Sequence, residues 1–334
     1  MTCAVIAFTR RGASLGDMVA EALGGTLHVP ARFAGEFGAA AYDSLEGWTA
    51  DHWGNCDALI FIGACGIAVR AIAPHVKDKF TDPAVVSMDE KAAFAVPLLS
   101  GHVGGANDLA VKLAELTGAQ PVLSTATDVN GLFAVDVWAR DLGLAITDRA
   151  LAKAVSAALL EGKPVGFASD FGLPCPRGLR PDRADLGVWV TCRREGGPFP
   201  ETLRLVPKCL TLGIGCRRGT AEETIAAAVD AAFQEAGLDP LAAEAAATID
   251  LKAEEPGLLA FCRSRSLPLR TYSAEALSAV PGEFTPSAFV QSVTGVDNVC
   301  ERAALAGGGE LLLPKTAGNG VTVAIAQGAA AFEI

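Results

Sequence analysis

The chain has 334 residues, 36 of them glycine, with 51% apolar and 19% charged side chains and a formal charge of −11. That length leaves room for two or three domains with their own cores, and the glycines suit tight turns rather than a low-complexity tract. The acidic balance argues against partners held through Lys and Arg, namely nucleic acid and anionic membrane surfaces, and no apolar run reaches the roughly 18 residues of a membrane span.

Residues Met1 to Arg10 carry no basic region ahead of their apolar residues, so Ala4 to Phe8 reads as a first strand rather than a signal peptide, and a cytoplasmic protein is expected. A polar turn at Thr9 to Gly12, a helix near Asp17 to Leu23, a strand at Thr26 to Val29 and a helix around Tyr42 to Trp53 follow. Ala58-Leu-Ile-Phe-Ile62 is the continuous apolar run of a buried parallel strand, ending in Gly63-Ala-Cys-Gly66 and a short helix that carries Arg70. After a polar segment from Pro74 to Pro83, the runs Ala84 to Met88 and Phe94 to Leu98 flank Asp89-Glu-Lys91 as a hairpin would. The stretch from Leu98 to Asn107 is a glycine-rich polar loop. Apolar Ala106, Leu109, Ala110, Leu113 and Ala114 share one helical face behind it, and a second apolar run from Pro121 ends in Ser124-Thr-Ala-Thr-Asp128. Glycines before a helix start let a ligand approach unpaired backbone N–H groups, so this loop suits a carboxylate or phosphate.

From about Leu132 two helices, Ala134 to Leu142 and Arg149 to Leu160, precede strands at Pro164 to Ala168, Gly187 to Cys192 and Leu203 to Val206. A new unit opens at Cys209, where a strand runs into Cys216-Arg-Arg-Gly-Thr220. Thr220-Ala-Glu-Glu223 has the spacing of a capping box for the helix Ala221 to Ala236. A strand at Thr248 to Leu251, a helix after Pro256, a strand at Pro268 to Thr271, further helices at Ala274 to Ala279, near Pro286 and near Asp297, and paired strands at Leu311 to Leu313 and Val321 to Ala326 complete the order. This alternation predicts an α/β protein: N-terminal (1–131) and C-terminal (208–334) α/β domains with mostly parallel sheets, joined by a small mixed α/β middle domain (132–207). Ligands on such sheets gather beyond the carboxyl ends of the strands.

Several blocks carry a resemblance to the cobalt-precorrin-5A hydrolase family of anaerobic cobalamin biosynthesis, the cobalamin biosynthesis protein G family. In the first third these are Gly63 to Arg70, Lys79 to Val86, Pro97 to Asn107 and Ser124 to Asp128. In the last third they are Leu212 to Gly219, Ile249 to Glu255, Val296 to Leu305 and Leu313-Pro-Lys315. The resemblance implies a hydrolase that opens the ring-A δ-lactone of cobalt-precorrin-5A and releases acetaldehyde, giving cobalt-precorrin-5B. It also implies a small-molecule substrate that carries its own cobalt, no further cofactor, and neighbouring enzymes of the pathway as further partners. A non-catalytic carrier of the same intermediate shares every binding feature.

Such chemistry needs a general base, donors for a tetrahedral oxyanion and a proton for the leaving oxygen. His102 is the first candidate acid/base, because an imidazole titrates near neutrality and this one lies in the glycine loop. Asp128 could orient it or act as base, or simply open a turn at Asp128-Val-Asn-Gly131. Ser100 lacks the Gly-x-Ser-x-Gly elbow and suits hydrogen bonding to substrate, and Asn107, Gly104 and Gly105 could supply oxyanion or carboxylate contacts or merely start the helix. Arg70, Lys77, Lys79, Arg217 and Arg218 are candidate clamps for substrate carboxylates. Glu301 suits a bond to substrate or a helix salt bridge beside Arg302. Cys65 and Cys216 occupy strand-end turns, where packing is a commoner fate than nucleophilic catalysis. The nine cysteines show no paired CxxC spacing, and the histidines show no metal-ligand spacing, so no protein-bound metal is expected.

Overall fold

The computed structural model describes residues 1–78, 81–102, 104–328 and 332, and of Asp128 and Phe289 the backbone alone. The chain forms two compact units, Met1–Val137 and Trp138–Ile334.

The first unit is built on β1 (Cys3–Ala7), β2 (Thr26–Pro30), β3 (Ala40–Tyr42), β4 (Ala58–Ile62), β5 (Ala84–Met88), β6 (Phe94–Leu99) and β7 (Gln120–Pro121), in the order β3-β2-β1-β4-β5-β6-β7. Strands β1 to β5 pair in parallel. Every residue of β1, β4 and β5 is buried, as an apolar run covered on both faces requires. On one face Val5, Ile60 and Val86 pack with Val19 of α1 (Arg10–Leu23) and with Leu109 and Leu113 of α5 (Ala106–Thr117). On the other, Ile6, Leu59 and Phe61 pack with Trp48 of α3 (Leu45–Trp53) and Ile72 of α4 (Cys65–Ile72). The expected polar turn at Thr9 is the first turn of α1, because the Thr9 hydroxyl accepts the Gly12 N–H at 3.0 Å and caps the helix.

Strand β6 is the expected hairpin partner of β5: it runs antiparallel, with Val85 opposite Leu99 and Met88 opposite Ala95. It then pairs in parallel with β7. The carboxyl ends of β6 and β7 therefore lie at the edge of the sheet from which β1, β4 and β5 start. The Ser100 to Asn107 loop and the Ser124 to Asp128 segment meet at that edge.

In the second unit β8 (Ala145–Ile146), β11 (Glu201–Val206), β10 (Leu186–Val190) and β9 (Gly166–Ser169) form a sheet in that spatial order, with β9, β10 and β11 parallel and β8 antiparallel. A further sheet has the order β14-β13-β12-β16-β15. It places β12 (Leu210–Cys216), β13 (Ala243–Ile249) and β14 (Leu269–Tyr272) in parallel, with β16 (Val321–Gln327) antiparallel to both β12 and β15 (Glu310–Gly318). The expected capping box does not form. The Thr220 hydroxyl donates to the Arg217 carbonyl at 2.8 Å, closing the preceding turn, and the helix after it (Glu222–Ala236) starts behind Ala221 with no side-chain cap. Among the described residues no helix is long and apolar enough to cross a membrane.

Candidate active site around His102

The loop after β6 is shaped by its own hydrogen bonds. Ser100 takes a left-handed backbone with φ of 56°, a conformation that costs a non-glycine residue about 1–2 kcal/mol. Its buried hydroxyl donates to the Asp82 carbonyl at 3.0 Å. The Asp82 carboxylate in turn takes the N–H groups of Lys77 and Asp78 at 2.7 and 2.9 Å. A side chain on Gly104 would stand 2.4 Å from the Ser100 Cβ, and one on Gly101 would stand 2.8 Å from the Asn107 Oδ1, so both glycines are fixed by close approach within the loop. Gly105, with φ of 83°, caps α5. The Gly105 N–H donates to the His102 carbonyl at 3.0 Å, that of Ala106 to Ser100 and that of Asn107 to Gly101. These helix-start donors are consumed by the loop, which removes Gly105 N–H from the anion-holding role its sequence suggests.

His102 stands where two segments converge. Its Nε2 lies 3.2 Å from Oγ1 of Thr127, in the short helix α6 (Ala126–Val129), and its Nδ1 lies 3.7 Å from Oδ2 of Asp136, at the start of α7 (Val135–Asp141). The His102 and Asp136 side chains are only 14% and 13% exposed, which shields the pair while leaving it within reach of a ligand. Buried Asn107 ties α5 to the same segment by donating from Nδ2 to the Thr125 hydroxyl at 3.1 Å. Asp136 and Thr127 are the residues that sequence reasoning missed. No spacing rule links positions 102 and 136. The Asp128 side chain and Lys79 lie outside the described residues.

Within the first unit the candidate clamp Arg70 does not join His102 at this edge. Exposed Arg70 is on α4 and its Nη1 donates back to the Gly66 carbonyl at 3.2 Å, just past the carboxyl end of β4 and so toward the edge opposite His102. Arg217 and Arg218 are exposed in the second unit, on the turn after β12. That turn is fixed by the Arg217 N–H on the Gly320 carbonyl at 3.0 Å and by the Gly219 N–H on Glu255 Oε1 at 2.6 Å. Glu255 also takes Lys252 Nζ at 2.9 Å. This bond holds its carboxyl below the usual range, helped by the Gly219 N–H and by the charges of Lys252 and Arg218 against the opposing effect of burial. The Cys216 thiol is pushed up by burial, which keeps it from serving as a thiolate.

Glu301 is tied into the protein rather than salt-bridged to Arg302. It is 1% exposed on the helix Val299–Leu305, and its two oxygens take the Thr285 N–H and hydroxyl, the Asn298 side-chain amide and the Lys315 N–H at 2.6–3.0 Å. Both oxygens are filled by the protein, and Arg302 instead pairs with Asp297 at 2.7 Å.

Three family models match the chain in succession: cobalamin synthesis G N-terminal over residues 47–128, cobalamin biosynthesis central region over 133–207, and cobalamin synthesis G C-terminus over 210–326. The cobalt-precorrin-5A hydrolase of Salmonella typhimurium is 39% identical over 284 residues, spanning 80% of this chain and 81% of its own length. The enzyme of the same name from Priestia megaterium is 31% identical over 291 residues, with 80% and 78% spanned. Protein CobE of a Sinorhizobium species is 36% identical over 121 residues, which are 35% of this chain and 79% of CobE. Among solved structures, a cobalamin biosynthesis protein G homologue from Sulfolobus solfataricus aligns over 98% of this chain and 97% of its own, at 21% identity and a TM-score of 0.42.

Proposed function

The chain belongs to the cobalamin synthesis G family and is a hydrolase of cobalamin biosynthesis, and on that premise we propose that it opens the ring-A δ-lactone of cobalt-precorrin-5A with His102 as the acid/base. The observation that carries the assignment is the placement of His102: an imidazole shielded from bulk water in a loop at the carboxyl ends of β6 and β7, with a hydroxyl at one nitrogen and a carboxylate at the other.

In the first step His102 takes a proton from water as the oxygen attacks the lactone carbonyl. The imidazolium then returns the proton to the ring oxygen as the C–O bond breaks, leaving a carboxylic acid and a hydroxyl. In the second step a base removes that hydroxyl proton, the carbon–carbon bond to the macrocycle breaks, and acetaldehyde departs while the macrocycle keeps the electron pair. Both steps are proton traffic at one position, so the proposal calls for no resident cofactor; the cobalt is substrate. The acetate and propionate groups of the substrate need cations that a protein of charge −11 cannot supply through its net field. Arg217 and Arg218, exposed on a turn fixed by the Gly219 N–H on Glu255, are proposed for this role, and so is Lys79, whereas Arg70 lies toward the edge opposite His102 and is not placed with the lactone.

Anaerobic incubation with cobalt-precorrin-5A, following acetaldehyde and substrate mass, tests the assignment. The native protein is expected to release acetaldehyde, and His102→Ala to lose at least about tenfold in kcat. A variant with near-normal kcat removes His102 from the chemistry. Tight binding with no acetaldehyde from the native protein makes it a carrier.

A further inference from the structure

We infer that Asp136 is the positioning residue for His102, fixing the ring so that Nε2, on the Thr127 side, is the atom that exchanges protons. The inference rests on the acid/base role of His102 proposed above. The geometry supporting it is independent of any substrate.

Asp136 is the second residue of α7, and its two carboxylate oxygens face different groups. Oδ1 accepts the N–H of Val137 at 3.1 Å, which fixes the plane of the group, and Oδ2 is thereby turned toward Nδ1 of His102 at 3.7 Å. At that distance the pair is in ion-pair rather than hydrogen-bond range, and the negative carboxylate favours the form of the neutral ring that keeps its proton on Nδ1, nearest to it. The lone pair is then on Nε2, where the Thr127 hydroxyl stands 3.2 Å away in position to donate. The side of the ring open to proton transfer therefore faces α6 and the Ser124 to Thr127 segment. A lactone or water that His102 serves must reach Nε2 from there, either displacing the Thr127 hydroxyl or passing its proton through it. The low exposure of both side chains strengthens the effect, because a carboxylate–imidazole pair shielded from water is weakly screened.

Four histidines in the chain make the test direct. With ring-15N-labelled histidine, the His102 signals are assigned by their loss in His102→Ala, and the tautomer is read from the two nitrogen shifts. The native protein is expected to hold His102 with its proton on Nδ1. Asp136→Asn is expected to mix the tautomers, to lower the His102 titration midpoint by about one pH unit as the neighbouring negative charge is lost, and to move the acidic limb of the kcat profile down with it. Its kcat should fall at least about tenfold, with Asp136→Glu recovering part of the loss. A purely structural role would lower the plateau without moving the tautomer or the limb, and that result overturns the inference. If His102→Ala keeps its kcat while Asp136→Asn still shifts the tautomer, the acid/base role fails and the positioning geometry stands.

Discussion

Glu301 is a buried carboxylate that accepts four hydrogen bonds, and the number decides what its replacement costs. Glu301→Gln puts an amide NH2 where two donors converge, leaving at least one buried donor unpaired. It is expected to destabilise the second unit by about 2–3 kcal/mol, measured by urea denaturation, with little change in KM. Unchanged stability with a raised KM would return Glu301 to the substrate. The same arithmetic explains which site residues could be recognised from the sequence. The candidate His102 is legible because its residue type, its glycine neighbours and the helix behind it are all local signals. Asp136 is not, since only the folded chain brings it to the ring, and a carboxylate in the first turn of a helix looks in sequence like an ordinary partner for the helix dipole.

At the scale of elements, apolar runs and amphipathic faces predicted β1, β4, the β5–β6 hairpin and α5 closely. The failures have local causes. Strand β13 begins at Ala243, earlier than its β-branched residues suggest, because its alanines are good helix formers that burial between neighbouring strands overrides. Strand β2 carries a consequence for pH. His28 on β2 packs its ring edge-on against Trp48 and His52 of α3, at centroid distances of 5.8 and 4.6 Å. Burial, aided by the charge that His52 can carry, lowers the His28 pKa from 6.5 to about 4. Between those values the unfolded chain binds a proton at this position that the folded chain refuses, so falling pH favours unfolding. Stability is expected to decline from pH 6.5 to pH 4, and His28→Phe to flatten that slope in denaturation curves taken across the interval. A variant with the native slope would show that His28 accepts its proton without loss of packing.

Over the whole molecule a charge of −11 would oppose an anionic substrate, so the proposed clamp is tested at a single cation. Arg217→Glu is expected to raise KM for cobalt-precorrin-5A about tenfold with kcat nearly unchanged, as loss of binding common to ground and transition states requires. An unchanged KM takes Arg217 out of the clamp. The alternation of short strands and helices was enough to predict α/β sheets and the hairpin gave the direction of β6, yet neither revealed the order β3-β2-β1-β4-β5-β6-β7, because strand order is set by pairings distant in sequence. The reversal at β6 also has a consequence in time. Strands β5 and β6 are joined by a short turn, and β6, α5 and β7 follow one another directly, whereas β1 must wait for residues more than fifty positions away to supply β4. Short loops close at small entropic cost and long ones at greater cost, so the segment that holds the histidine loop can assemble before the centre of the sheet does. The hairpin under the histidine loop therefore closes over far fewer residues than the β1–β4 pairing at the centre of the sheet.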